Sequence, residues 1–127
     1  MFDTYASYIF SLFAVIIVIF QFALALGVPW GEMAMGGKYP GKFPPRMRIA
    51  ALVQIVILVF FATIVLTRSG LILENYYNFS ELAIWFVVAF STLGAIMNTI
   101  TPSKKERMLW APVAIVMFLC VTYVALN

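Results

Sequence analysis

Four uninterrupted apolar runs constrain this chain more than any other feature: about Tyr5 to Gly27, Met47 to Thr67, Leu82 to Ile100 and Met108 to Leu126. Each is close to the roughly 20 residues that an α-helix needs to cross the hydrocarbon core of a bilayer. Inside lipid the chain itself must satisfy every backbone N–H and C=O, so only helices and closed barrels can span. Stretches such as Ala14-Val-Ile-Ile-Val-Ile-Phe20 are continuously apolar, whereas barrel strands alternate every second residue. The runs are therefore read as helices.

Composition agrees. With 127 residues, of which 65% are hydrophobic and 10% charged, a water-soluble domain would have too little interior to hide its apolar surface. Lipid is the expected solvent. The runs leave no room for a separate soluble domain, so residues 1–127 are read as one transmembrane four-helix domain, with helices at about 5–27, 47–67, 82–100 and 108–126. Ala23-Leu24-Ala25 has the small-x-small form of a cleavage site. Ahead of it, however, Met1 to Tyr8 holds Asp3 and no Lys or Arg, and the run is too long for a signal-peptide core, so a retained helix is expected.

Orientation follows from the cations. The loop at 28–46 carries Lys38, Lys42, Arg46 and Arg48 borders it; the loop at 101–107 carries Lys104, Lys105 and Arg107. Only Arg68 falls on the opposite side, with Asp3, Glu74 and Glu81. Because Lys and Arg in short loops are retained on the cytoplasmic side, both loops are expected there, with the two termini outside. Tyr5, Tyr8, Tyr76, Tyr77 and Tyr123 would mark the outer interface, and Trp30 and Trp110 the inner one. Asn78-Phe79-Ser80 is a glycosylation sequon on the outer side, relevant only in a glycosylating host.

Short connections predict an all-α, up-down-up-down, four-transmembrane-helix bundle, N-out and C-out. Small and polar residues are expected where the helices meet: Ser7, Ser11, Ala14, Val18, Gln21 and Ala25 on the first; Ala51, Gln54 and Ala62 on the second. The third offers Ala83, Val87, Ser91, Gly94, Asn98 and Thr101; the fourth offers Arg107, Ala111, Ala114, Phe118, Val121 and Ala125. Bulky residues would then face lipid. Helices 2 and 4 both follow a proline-containing basic loop, through Arg48-Ile-Ala-Ala-Leu and Arg107-Met-Leu-Trp-Ala, which leaves open whether the chain is two similar hairpins.

Polarity gathers at the cytoplasmic end. Gln21, Gln54 and Asn98 are the strongest hydrogen-bonding side chains within the spans, and with Thr101 they form a candidate polar pocket; the plainer reading is interhelical glue. Beside them, Gly27 to Pro45 is too rich in Gly and Pro for a helix, and too rich in Trp30, Met33, Met35, Tyr39 and Phe43 for a flexible linker. It is expected to pack on the bundle mouth or dip into the interface. Glu32 and Glu106, with Arg48 and Arg107, form a candidate ion-pair or ligand cluster, pairing as Glu32–Arg107 or Glu106–Arg48. Arg46, Lys104 and Lys105, with Arg48, are candidate contacts for anionic lipid headgroups. Thr101 or Ser103 can cap helix 4, and Ser103 with Glu106 has capping-box spacing.

Several chemistries are not supported. There is no histidine and one cysteine, and the five acids are widely spaced, so no metal site is recognised. Cys120 lies in an apolar run and is read as a packing residue. The first loop lacks both glycine-rich phosphate-binding patterns, so no nucleotide or other cofactor is expected. A net charge of +3, concentrated at membrane edges, reads as an orienting rim and not as a nucleic-acid surface. Small multidrug exporters would carry an acid in the first helix, where this chain has only Gln21, and the signatures of the fluoride-channel family are missing.

The pattern Gly27-x-Pro29-x-Gly31, Gly36-Gly37, Pro44-Pro45-x-x-Arg48 and Glu106-Arg107-x-x-Trp110-x-Pro112-Val113 resembles a group of small uncharacterised bacterial membrane proteins. The resemblance covers most of the chain and implies a bacterial inner-membrane location, but carries no activity. The leading expectation is a non-enzymatic accessory or regulatory subunit of a larger membrane complex, with the lipid bilayer and either that complex or further copies of the chain as partners; spans without ionisable residues favour it over a pump. The alternatives are a small oligomeric transporter or channel, and an enzyme acting on a lipid at the cytoplasmic face.

Overall fold

Four α-helices make up most of the chain: α1 Phe2–Ala25, α2 Pro45–Arg68, α3 Tyr77–Ile100 and α4 Lys104–Leu126. They belong to a computed structural model that describes residues 2–127. Each helix is 23 or 24 residues long, about 35 Å at 1.5 Å per residue. All four are long and apolar enough to cross a membrane, which is compatible with a multi-pass integral membrane protein.

Every helix starts earlier than its apolar run, for local reasons. Pro45 opens α2, where its missing N–H is no loss, and the N–H groups of Met47 and Arg48 bond to the Pro44 carbonyl at 2.9 and 3.1 Å. Polar Asn78, Ser80 and Glu81 fall inside the first turns of α3, and Ser80 Oγ donates to the Tyr77 carbonyl at 2.6 Å. Ser103 caps α4 by accepting from the Glu106 N–H at 3.2 Å. The ends of α1 and α2 share one device. Val28 N–H reaches Ala23 O and Gly27 N–H reaches Leu24 O, while Leu71 N–H reaches Leu66 O and Gly70 N–H reaches Thr67 O. This is the Schellman closure, and Gly27 and Gly70 supply its left-handed residue with φ of 94° and 76°.

Around the bundle, α1 packs on α2 and α4, and α3 on α2 and α4. At one end, Ser7 Oγ and Ser69 Oγ share a hydrogen bond, and Arg68 donates to Tyr77 Oη at 3.0 Å and to the Ala125 carbonyl at 3.5 Å. The opposite end holds the 26–44 loop and the 101–103 turn. It also holds every Lys and Arg except Arg68.

The interior differs from the small-residue seams expected. Ser7, Ala14, Ala51, Val87, Ala111, Val121 and Ala125 are buried as anticipated. Bulky residues fill the rest: Phe10, Phe61, Ile64, Ile84 and Met117 form an apolar cluster in the half of the bundle nearer the termini. A second cluster, with Phe20, Leu24, Phe43, Met47 and Trp110, lies nearer the loops. Gly94 meets no neighbouring atom within 4 Å of a Cβ built on it, so helices do not approach closely there. Dispersion from large interlocking side chains therefore holds the centre, with small residues filling between them. Leu12, Ile19, Val56, Phe86, Leu93 and Leu119 point outward, exposed, as a lipid-facing surface requires.

Candidate functional site

The loop between α1 and α2 is ordered by its own backbone. Gly31 N–H bonds to the Gly41 carbonyl at 2.9 Å, closing an eleven-residue segment on itself. A Cβ on Gly31 would sit 1.9 Å from the Tyr39 carbonyl oxygen, so only glycine fits. Two single 3-10 turns, Gly31–Met33 and Met35–Gly37, carry the chain across the bundle mouth.

Four hydrogen bonds fasten this segment to the start of α4. Ser103 Oγ donates to the Glu32 carbonyl at 2.6 Å, and Trp110 Nε1 donates to the Met33 carbonyl at 3.0 Å. Lys105 Nζ pairs with Glu32 Oε1 at 2.6 Å, and Gly36 N–H donates to Glu106 Oε2 at 3.2 Å. Positive φ at Gly36, 69°, turns that N–H inward. The loop is thus a cover, as its apolar residues suggested, and its side chains Met33, Ala34, Met35 and Phe43 face what lies beneath.

Beneath it is a cavity of about 340 Å³, closed by the loop on that side and partly open elsewhere. Gln21 from α1, Gln54 from α2 and Asn98 from α3 all contribute to its wall, together with Glu106 from α4. Asn98 Nδ2 donates to the Gly94 carbonyl at 2.7 Å, while the amides of Gln21 and Gln54 have no hydrogen-bond partner among the described residues. Glu106 is only 6% exposed, and among the described residues no cation lies within ion-pair distance of it. Apolar walls come from Phe20, Met47 and Trp110, with the Phe20 and Trp110 rings 4.8 Å apart and tilted by 58°. Towards the termini the cavity stops at Ile17 and Ala114; beyond them lies the apolar cluster of Phe10, Phe61, Ile84 and Met117.

The expected ion pairs do not form. Glu32 takes Lys105 instead of Arg107, because the loop crosses above the first turn of α4, where Lys105 points outward. Arg107 folds back onto the Thr101 carbonyl at 2.8 Å, and Arg48 donates Nε to the Phe43 carbonyl at 2.8 Å with its guanidinium against Gly27. Both arginines thereby brace loop backbone. The capping box is half made: Ser103 caps Glu106 N–H, but the Glu106 carboxylate turns to Gly36 and Ser103 N–H uses Thr101 Oγ1 at 3.3 Å. Thr101 is buried outside the cavity wall, as a brace for that turn. Trp110, expected at the membrane interface, is buried as a wall of the cavity, while Trp30 is half exposed and stacks on Phe20 at 6.2 Å. Arg46, Lys104 and Lys105 stay on the outer rim.

Phe20, Met47 and Ala114 are wall residues that carry no polar mark in the sequence. The signal was present in their spacing: Phe20 and Gln21 are adjacent, and Met47, Ala51 and Gln54 follow at helical intervals. No group of three or more Cys, Asp or Glu side chains gathers as a metal site among the described residues. Comparison with protein-family models, curated proteins and solved structures finds no match.

Proposed function

We propose that the chain is a non-enzymatic accessory or regulatory subunit of a bacterial inner membrane, built as one up-down-up-down bundle, N-out and C-out. The observation that carries this reading is that the polar wall of the cavity does not continue through the bundle. It stops at Ile17 and Ala114, beyond which Phe10, Phe61, Ile84 and Met117 pack together, so a single copy has no polar path from end to end. Orientation is supported by the clustering of all cations except Arg68 at the loop end. In this reading Arg46 and Lys104 meet anionic headgroups there, each such contact contributing about 1 kcal/mol, while Lys105 is engaged by Glu32.

Two experiments test it. In a Cys120→Ala background, single cysteines at Lys42 and at Leu73 are labelled with a membrane-impermeant maleimide in intact cells; labelling of Leu73→Cys alone is expected, and the reverse pattern overturns the orientation. Mild detergent extraction from the native membrane, after crosslinking, is expected to recover the chain in fixed stoichiometry with one larger membrane assembly. Recovery only as a monomer or homo-oligomer overturns the accessory role.

A second reading is favoured by the neutral amides of Gln21, Gln54 and Asn98 on the cavity wall: an oligomeric transporter for a small solute. It expects solute flux in proteoliposomes that falls on Asn98→Leu. Absence of flux in the wild-type protein removes it.

A further inference from the structure

We propose that the covered cavity is a binding site for a small monovalent organic cation, an ammonium carrying a compact apolar body, with Glu106 as its counter-ion. The charge environment comes first. Glu106 is the one charged residue on the cavity wall, and it is more than nine-tenths buried. Its Oε2 receives the Gly36 N–H, while Oε1 receives no hydrogen bond among the described residues. A carboxylate taken out of water is costly unless it is paired and hydrogen-bonded, and one backbone N–H does not neutralise it.

The nearby cations do not fill that role. Arg48 is spent on the Phe43 carbonyl, Arg107 on the Thr101 carbonyl and Lys105 on Glu32, and none of the three lines the cavity. An anionic ligand would meet the Glu106 carboxylate with no cation beside it. A cationic ligand meets what is missing.

The remaining wall narrows the class. Gln21 and Gln54 have unused amides, and Asn98, which gives one amide N–H to the Gly94 carbonyl, keeps its own carbonyl oxygen as an acceptor. Phe20 and Trp110 contribute aromatic side chains to the wall, a surface type that holds alkylammonium groups by cation–π attraction. A divalent metal ion would call for several anionic oxygens, and the wall has a single acid. The volume, about 340 Å³, exceeds what an inorganic cation needs and lies at the low end for organic ligands. Charge, acceptors, aromatic surface and volume all point to an ammonium of a few carbons.

This goes beyond the accessory reading and is separable from it, since the purified chain can be tested without any partner. The full chain is reconstituted in lipid nanodiscs and titrated calorimetrically with choline and with phenethylammonium, each beside its neutral counterpart, 3,3-dimethylbutan-1-ol or 2-phenylethanol. Saturable binding of at least one cation is expected, with its neutral counterpart weaker by about tenfold or more. Glu106→Gln keeps an acceptor for the Gly36 N–H but loses the charge; it is expected to hold its thermal midpoint and bind the cation about tenfold more weakly or worse. The proposal is overturned if neither ammonium saturates the wild-type protein, if the neutral counterpart binds equally, or if a folded Glu106→Gln protein binds as tightly as wild type. Should that variant fail to fold, the comparison of cation with neutral counterpart on the wild-type protein decides alone.

Discussion

Glu106 and Gly36, separated by 70 positions in sequence, meet through a 3.2 Å hydrogen bond from the Gly36 N–H to the Glu106 carboxylate. The contact joins the covering loop to the one buried acid of the cavity, so the lid and the charge beneath it are coupled. Replacing Glu106 by Ala removes this bond, a loss of about 1.5–3 kcal/mol for a charged acceptor, but also relieves an unpaired buried charge. The two effects oppose each other in global stability and not in the loop. Trypsin cleavage after Lys38 and Lys42 is expected to accelerate several-fold while the thermal midpoint moves by only a few degrees. Unchanged proteolysis in Glu106→Ala would show that the bond does not hold the lid.

Gly31 is the tightest point of the loop. A Cβ there would stand 1.9 Å from the Tyr39 oxygen and 2.7 Å from the Gly41 oxygen, both backbone atoms that cannot swing aside. Gly31→Ala must break the Gly31–Gly41 hydrogen bond and displace the 3-10 turn that presents Glu32 and Met33. A loss of about 2 kcal/mol or more is expected, read from thermal unfolding in detergent, together with trypsin sensitivity at Lys38. Gly94→Ala is the control: nothing lies within 4 Å of its Cβ, and a helix-interior Gly replaced by Ala gains about 0.5–1 kcal/mol.

Ser103 does two tasks with one hydroxyl. It accepts the Glu106 N–H at the start of α4 and donates to the Glu32 carbonyl at 2.6 Å. Ser103→Ala loses both the cap and the tie to the loop, at about 1–2 kcal/mol. Ser103→Asp separates them, because a carboxylate still caps but cannot donate. Circular dichroism melts should rank wild type first, Ser103→Asp second and Ser103→Ala last; equal melts for Asp and wild type would mean that the tie to Glu32 contributes nothing.

Much of this was legible in the residues, and the boundary has physical causes. The spans were readable because lipid admits no interruption of an apolar helix, and that requirement is local in sequence. The ends were less so: α3 begins at Tyr77, five residues before its apolar run, since Asn78, Ser80 and Glu81 are tolerated where a helix leaves the bilayer. Gln21, Gln54 and Asn98 stand out in the sequence as amides among apolar neighbours, and all three contribute to the cavity wall. What could not be read was which partner each charge would find. Glu32 had several cations within plausible reach, and the choice of Lys105 depends on the path that Gly31, Gly36 and Gly37 impose on the loop. Nor could the burial of Trp110 be inferred, because an interfacial Trp and a cavity-wall Trp occupy the same place in a span. Only the Met33 carbonyl, brought by that loop, distinguishes them.

The Glu32–Lys105 pair offers a last test, because its short distance invites overvaluation. Nζ and Oε1 are 2.6 Å apart, yet the two side chains are 48% and 66% exposed for Glu32 and Lys105 respectively. In water-like surroundings the Coulomb gain is offset by the entropy of holding two flexible chains, so such pairs contribute about 0–1 kcal/mol. The coupling energy from a double-mutant cycle of Glu32→Ala and Lys105→Ala should stay below about 1 kcal/mol and shrink between low and physiological salt. Ser103, Gly36 and Trp110, not this pair, are then the attachments that fix the loop. A salt-insensitive coupling well above that bound would mean that the loop end is drier than its exposure indicates, as it would be if headgroups or a partner covered it.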